Sequence, residues 1–315
     1  MKLRMMNGLF SVTLVLFVTT IVAMRGMLVS NASVYSTGYL KTHTKQMKEE
    51  LTTGGSLHNV YYGQLHSHST FSDGTCNEAY KYASTVPKKM DFFAVTDHSQ
   101  RFDNHKQGTI LDGSVSKEWA EGHRLAKKYT TKKFVGLYAY EMTWNASLGI
   151  GHMNTFNTPG FETAALKKFY NASTGLEQYY ETLKSVPNSL SQFNHPGTKW
   201  GHFKDFKYIS TQVDSLVHMV EMPGYHLTKD IVTYCKYYQR ALDKGWHVSP
   251  TNNQDNHGKD WGTLNDKRSV LLAKTLSENS VYDAIRHNRT YATEDLDFYL
   301  KYTFNGYLMG SKINI

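Results

Sequence analysis

The chain has 315 residues, 40% of them hydrophobic, 13% aromatic and 20% charged. That composition supports a large core and excludes intrinsic disorder, and the length suits one α/β barrel with insertions, which we expect in place of two separate domains. The formal net charge is +8, but Lys2, Arg4 and Arg25 belong to the amino-terminal segment and the other lysines are scattered in pairs, so no specific nucleic-acid partner is indicated.

Residues 1–32 open on basic Lys2 and Arg4, continue through the apolar run Gly8–Met24, and end in the small residues Ser30-Asn31-Ala32. This is the pattern of a secretory signal peptide, or of a signal anchor that stays uncleaved and attaches the chain to a membrane through residues 8–24. Either form implies a secreted or otherwise extracytoplasmic protein. Residues 33–57 are polar and mixed in charge, as in a spacer, and the folded domain is expected over residues 58–315. Cys76 and Cys235 are the only cysteines, so neither a disulfide framework nor a thiolate zinc motif is present; one bridge is permitted but not required.

A strand over Tyr61–His68 would end in His66-Ser67-His68, where residues i and i+2 share a face and both imidazoles meet at one spot. Asp73-Gly74 makes a turn, and Thr75 is placed to cap a helix running to about Ser84 before Pro87. Met90–Thr96 reads as a buried strand delivering Asp97-His98 at its carboxyl end. A polar loop over residues 99–113 leads to a helix over Ser114–Thr130, with Ser114 as cap. The strand Phe134–Trp144 carries Glu141, and an extended piece follows at Gly151–Phe156 with His152. Helix is expected over residues 160–186 with a break near Asn171–Gly175. Leu190–Phe193 is a short strand ending in Asn194-His195-Pro196-Gly197.

Ser215–Met222 is a further strand and Thr228–Lys244 an amphipathic helix closed by Gly245. Trp246–Thr251 is a strand leading to Asp255-Asn256-His257, Arg268–Thr275 another, Ser277–His287 a helix, and Thr290–Ile315 alternates as β structure. Strand–helix alternation without a recurring repeat predicts a single barrel-like α/β domain. Imidazoles and carboxylates thus gather at strand ends: His66, His68 and Asp73, then His98, Glu141, His152, His195, Asp255 and His257. In an α/β barrel those ends form one face, and a donor set of nitrogen and oxygen without thiolate suits Zn, Mn or Fe. Asp97, next to His98, must point the other way and is read as supporting the site from outside it.

The ordered set HSHSTFSDG, AVTDH, a strand ending in Glu141 followed by GHMN, NHPG and Asp-x-His resembles that of the polymerase-and-histidinol-phosphatase (PHP) superfamily of metallohydrolases. The tail NRTYATED…FNGYLMG is similar to that superfamily's carbaryl-hydrolase-like branch. The resemblance implies a distorted TIM-like (β/α)7 barrel holding two or three divalent ions. It implies that His66, His68, Glu141 and Asp255 hold a first metal, Asp73, His98 and a bridging Glu141 a second, and His152, His195 and His257 a third. Glu141, Asp255 and His257 would take part in the chemistry.

The activity implied is a phosphoesterase, a phosphatase or phosphodiesterase, using a metal-activated hydroxide on a small anionic phosphoester, with Arg101, Arg289 or a lysine near the phosphate. A carbamate, ester or amide hydrolase would use the same metals, and a non-catalytic metal-binding surface module is the reading from another class.

Overall fold

The structure is a computed structural model that describes residues 58–87, 89–222 and 231–312. The expectations for the signal or anchor, the spacer and the start of the helix at Thr228 fall outside these residues. Among the described residues no helix is long and apolar enough to cross a membrane.

In chain order the elements are β1 (Asn59–Gln64), α1 (Ala79–Ser84), β2 (Phe92–His98), α2 (Lys117–Tyr129), β3 (Val135–Thr143), β4 (His152–Phe156) and α3 (Gly175–Leu183). They continue with β5 (Leu190–Asn194), β6 (Val217–Glu221), α4 (Ile231–Asp243), β7 (Ser249–Thr251), β8 (Arg268–Ala273), α5 (Glu278–Arg286), β9 (Thr290–Thr293) and the hairpin β10 (Thr303–Phe304) and β11 (Tyr307–Leu308). Nine strands form one sheet in the order β7-β6-β5-β4-β3-β2-β1-β8-β9. Its two ends meet: the Asn252 amide donates to Ser269 Oγ on β8 at 3.0 Å, and the Asn252 side chain donates to the Thr293 carbonyl on β9 at 3.1 Å. The sheet is therefore a nearly closed barrel, with two more strands than the seven expected.

β4 and β8 run antiparallel to both of their neighbours. This decides where His152 lies. It opens β4 and pairs with Thr143 near the end of β3, so the amino end of this reversed strand sits on the rim formed by the carboxyl ends of the others.

Side chains alternate between two cores, as a pleated strand requires. Phe93, Val95, Tyr138 and Tyr140 face the outer layer with Trp119 of α2 and Tyr179 of α3, whereas Phe92, Ala94, Leu137, Ala139 and Leu190 face inward with Val281, Ala284 and Ile285. α5 touches β3, β5, β6 and β8 together, so it stoppers the barrel opening opposite the His-bearing rim. α2 lies close on β3 because Gly122 has no side chain; a Cβ there would come within 2.1 Å of Tyr138 Cζ.

Several local expectations are corrected. His66 and His68 lie past the end of β1, because the chain there leaves the sheet ladder to bridge Ser67 to Asn256. Thr75 does not cap α1; its amide is taken by the His257 carbonyl at 2.9 Å, and α1 begins only at Ala79. The cap of α2 is Ser116, which accepts from the Trp119 amide, since Ser114 is tied to Asp112. Of the helix expected over 160–186 only Gly175–Leu183 forms. The stretch before it is instead held by β3 and the loop ahead of α2, through Trp144 Nε1 to the Phe169 carbonyl at 3.0 Å and the Ile110 amide to Glu162 Oε1 at 3.3 Å. Cys76 and Cys235 are free.

His218 of β6 is buried, its Nε2 has no hydrogen-bond partner, and burial, helped by Arg286, pushes its pKa down to about 4. It is neutral in the fold while the unfolded chain takes up a proton below about 6.5, so its contribution is present above pH 6.5 and is lost as pH falls towards 4. Chemical denaturation at pH 7 and pH 4.5 should show His218→Gln losing up to about 3 kcal/mol less than the parent on acidification. Equal losses would contradict this.

Candidate metal centre

All nine predicted positions come together on the open rim. Glu141, fully buried at the end of β3, is their hub. Its Oε1 lies 3.3 Å from His66 Nε2, 3.4 Å from His152 Nδ1 and 3.6 Å from His195 Nε2. Its Oε2 lies 2.5 Å from His98 Nδ1 and 3.8 Å from His68 Nε2. Asp255, on the loop after β7, sets Oδ1 3.0 Å from His68 Nε2 and 3.2 Å from His66 Nε2. Asp73 faces His257 Nε2 at 3.3 Å and His98 Nε2 at 3.5 Å.

Two of these residues, His195 (φ 27°) and Asp255 (φ 46°), hold left-handed backbone that non-glycine residues seldom adopt. Such strain persists only where the surroundings over-determine it, and it clusters at functional sites.

The electrostatics follow from packing charge in a dry place. Burial pushes Glu141 up, but His98, His152 and His66 outweigh it and hold the carboxyl well below its usual range. Asp255 is likewise held low, against burial, by His66 and His68. Burial pushes His98 down, yet Glu141 and Asp73 win and raise it to about 10, while His68, buried and crowded by His98, falls to about 3. Neighbouring rings are thus driven to opposite protonation states.

Among the described residues, four groups have ligand atoms within 4.8 Å of one another: His68, Asp73, His98 and His257; His66, His68 and Glu141; Glu141, His152 and His195; and His66, His195 and Glu221. The residues therefore fit divalent ions of the nitrogen- and oxygen-liking kind. The partition differs from the expectation in three places: Asp255 joins none of the four groups, Glu141 does not join the Asp73–His98 group, and His257 falls with Asp73, His98 and His68, its ring stacked 4.2 Å from that of His68, and not with His152 and His195. The loop after β7 delivers it there because the His68 amide binds the Asn256 carbonyl at 2.9 Å. Arg289 is also corrected, for it pairs with Asp283 of α5 at the stoppered end of the barrel.

Sequence reasoning missed Glu221, at the end of β6, although its place at a strand end gave the same signal as Glu141. Its two oxygens accept from His66 Nδ1 at 3.0 and 3.1 Å, from Asn253 Nδ2 at 3.0 Å and from the His195 amide at 3.0 Å. With both oxygens so engaged, Glu221 orients His66 so that Nε2 faces Glu141 and Asp255. Glu221→Gln should weaken divalent-metal affinity by about 10–100-fold at unchanged circular dichroism, and titration calorimetry checks it. Asp97, fully buried on the other side of its strand, accepts from the Ser69 amide and hydroxyl, both at 2.7 Å, and from Ser72 Oγ at 2.6 Å. It braces the His68–Asp73 turn from behind.

Beside the cluster opens a pocket of about 550 Å³ that reaches from Asp73, His98 and His257 to Trp200, Tyr170 and Ala165.

Fold and site together define an α/β barrel with a candidate metal centre on one rim. The chain matches no protein-family model and no curated protein sequence. Among solved structures it is similar to a two-domain protein containing a predicted PHP-like metal-dependent phosphoesterase from Bacteroides vulgatus, with TM-score 0.51 and 20% identity over 76% of this chain. The chain spans 66% of the length of that protein. It also resembles PsfC from Pseudomonas syringae (TM-score 0.47, 15% identity, 75% of this chain and 91% of the other) and Endonuclease Q in complex with a duplex substrate carrying an abasic lesion (TM-score 0.43, 14% identity, 72% and 57%). The first of these likenesses carries the fold: this chain has the PHP-like architecture.

Proposed function

We propose that the domain is a metal-dependent phosphoesterase working outside the cytoplasm, exported or tethered by residues 1–32. The observation that carries the reading is the sharing of one buried carboxylate, Glu141, by five rings from four different stretches of chain next to an open pocket. His68, Asp73, His98 and His257 would hold one ion, and Glu141 with His66, His68, His152 and His195 one or two more. Divalent Mn, Zn or Fe there supplies an activated water and positive charge for phosphate oxygens.

The chain's own residues do the remainder. Asp255, 29% exposed and on the open side of the cluster, stays a carboxylate at neutral pH and accepts a hydrogen bond from the attacking water. Arg101 Nη2 lies 3.9 Å from Asp73 at the pocket rim, placed to turn towards a phosphate oxygen. Glu141 holds the rings of His98 and His152 in register.

The test is a panel of aryl phosphates, phosphodiesters, aryl esters and aryl carbamates with Mn, Zn or Fe supplied. A phosphate ester should be turned over best; carbamate or ester turnover exceeding every phosphate by about tenfold would replace this reading with that of a carboxylic-ester or carbamate hydrolase.

A further inference from the structure

We infer that the pocket beside the metal centre is a subsite for a flat, apolar group, so that the substrate is a small phosphate ester with an aromatic substituent and not a polynucleotide. The reacting phosphate rests on the reading proposed above; the shape and chemistry of the pocket stand without it.

The pocket's volume of about 550 Å³ falls in the range that encloses a drug-sized molecule. Its two walls differ in kind. One is the imidazole and carboxylate cluster, and the other is built from Trp144, Trp200, Tyr170, Ala146, Ala164 and Ala165. The apolar wall begins where the ligand residues end, because the Trp200 ring centroid lies 5.1 Å from that of His152 and 6.5 Å from that of His195. Trp144 is fully buried and forms the floor.

Trp200 is held in place. Gly197 and Gly201 exchange backbone hydrogen bonds at 2.9 and 3.0 Å across it, and Lys199 Nζ stands 4.6 Å from its ring centroid. Gly201 (φ 126°) runs so near Ile150 that a Cβ would come within 2.5 Å of the Ile150 carbonyl carbon, so the loop has no room to collapse into the pocket. Ala164, Ala165 and Tyr170 reach the pocket because residues 160–174 are not the helix their composition suggests.

Charge decides against a polymer. Among the described residues lining the pocket, Arg101 is the one lysine or arginine. A nucleic-acid strand needs a basic track along successive phosphates, whereas one cation beside a metal centre serves one phosphate and leaves an apolar remainder for the apolar wall.

The test compares benzyl with ethyl phosphate, whose leaving alcohols are chemically alike, on the metal-loaded protein, with benzylphosphonate and ethylphosphonate as non-hydrolysable probes in calorimetry. Wild type should favour benzyl by about 100-fold in kcat/KM, since even one methylene in an apolar pocket is worth about 10–200-fold. Trp200→Ala should cut that ratio about tenfold or more and Trp200→Phe should keep most of it. Ala165→Trp, made at an exposed position where it does not disturb the core, should cut the ratio by filling the space. A ratio near one in wild type, or the same ratio in all variants, overturns the inference even if phosphate esters are hydrolysed. If no phosphate ester is hydrolysed but benzylphosphonate binds preferentially and Trp200→Ala removes the preference, the subsite stands and the phosphoesterase reading falls. Failure to bind either phosphonate overturns the subsite.

Discussion

Glu141→Gln should abolish hydrolysis, with kcat/KM falling by about 10³-fold or more, and bound metal should drop by at least one ion per chain in an element-resolved count. The magnitude follows from the hub position. Glu141 meets five imidazoles, and its Oε1 also accepts from Asn194 Nδ2 at 2.8 Å. The amide keeps the shape and removes the negative charge that draws both the histidines and any cation to this point. Thermal unfolding of the metal-free variant should stay close to that of the metal-free parent, which would separate lost metal binding from lost fold. Wild-type rates with full metal content would remove Glu141 from the site.

Metal removal itself should be the second large effect. Without cations the rim packs three carboxylates, Asp73, Glu141 and Asp255, among six imidazoles, with His66 Nε2 and His68 Nε2 only 3.2 Å apart and unable to hold protons on both facing nitrogens. An ion that binds the folded chain alone stabilises it by about 2.7 kcal/mol at one hundred times its Kd, which for a domain of this size corresponds to a rise in Tm of about 5–10 °C. Chelator-stripped protein titrated with Mn, Zn or Fe and followed by calorimetry checks this. No rise with any of the three would mean that the cluster is an ordinary buried ion-pair network.

How much was readable beforehand depended on the range of the cause. His66 and His68 could be paired from sequence because side chains two apart on extended chain share a face, and the strand Met90–Thr96 because an unbroken run of apolar, aromatic and branched residues suits a covered strand; it forms over Phe92–His98, with its first six residues buried. His98 and Glu141 follow at strand ends, and their side-by-side placement is set by the β2–β3 register.

What the sequence determined by itself was therefore the α/β class, the strand-end donors and their chemical kind, since each is a property of a few neighbouring residues. Tertiary structure alone decided the nine-stranded closure, the joining of His257 to Asp73 and His98, the use of Glu221 to aim His66, and the apolar wall of the pocket. Those depend on which strand ends become neighbours in space: reversal of β4 and β8, and the loop after β7 reaching across to the end of β1, place residues more than a hundred positions apart within one hydrogen bond of each other. Local spacing carries no record of that. Residues 160–174 show the same physics in reverse, for a stretch with helical spacing gives up its helix where tertiary hydrogen bonds to Ile110 and Trp144 hold it open over the pocket.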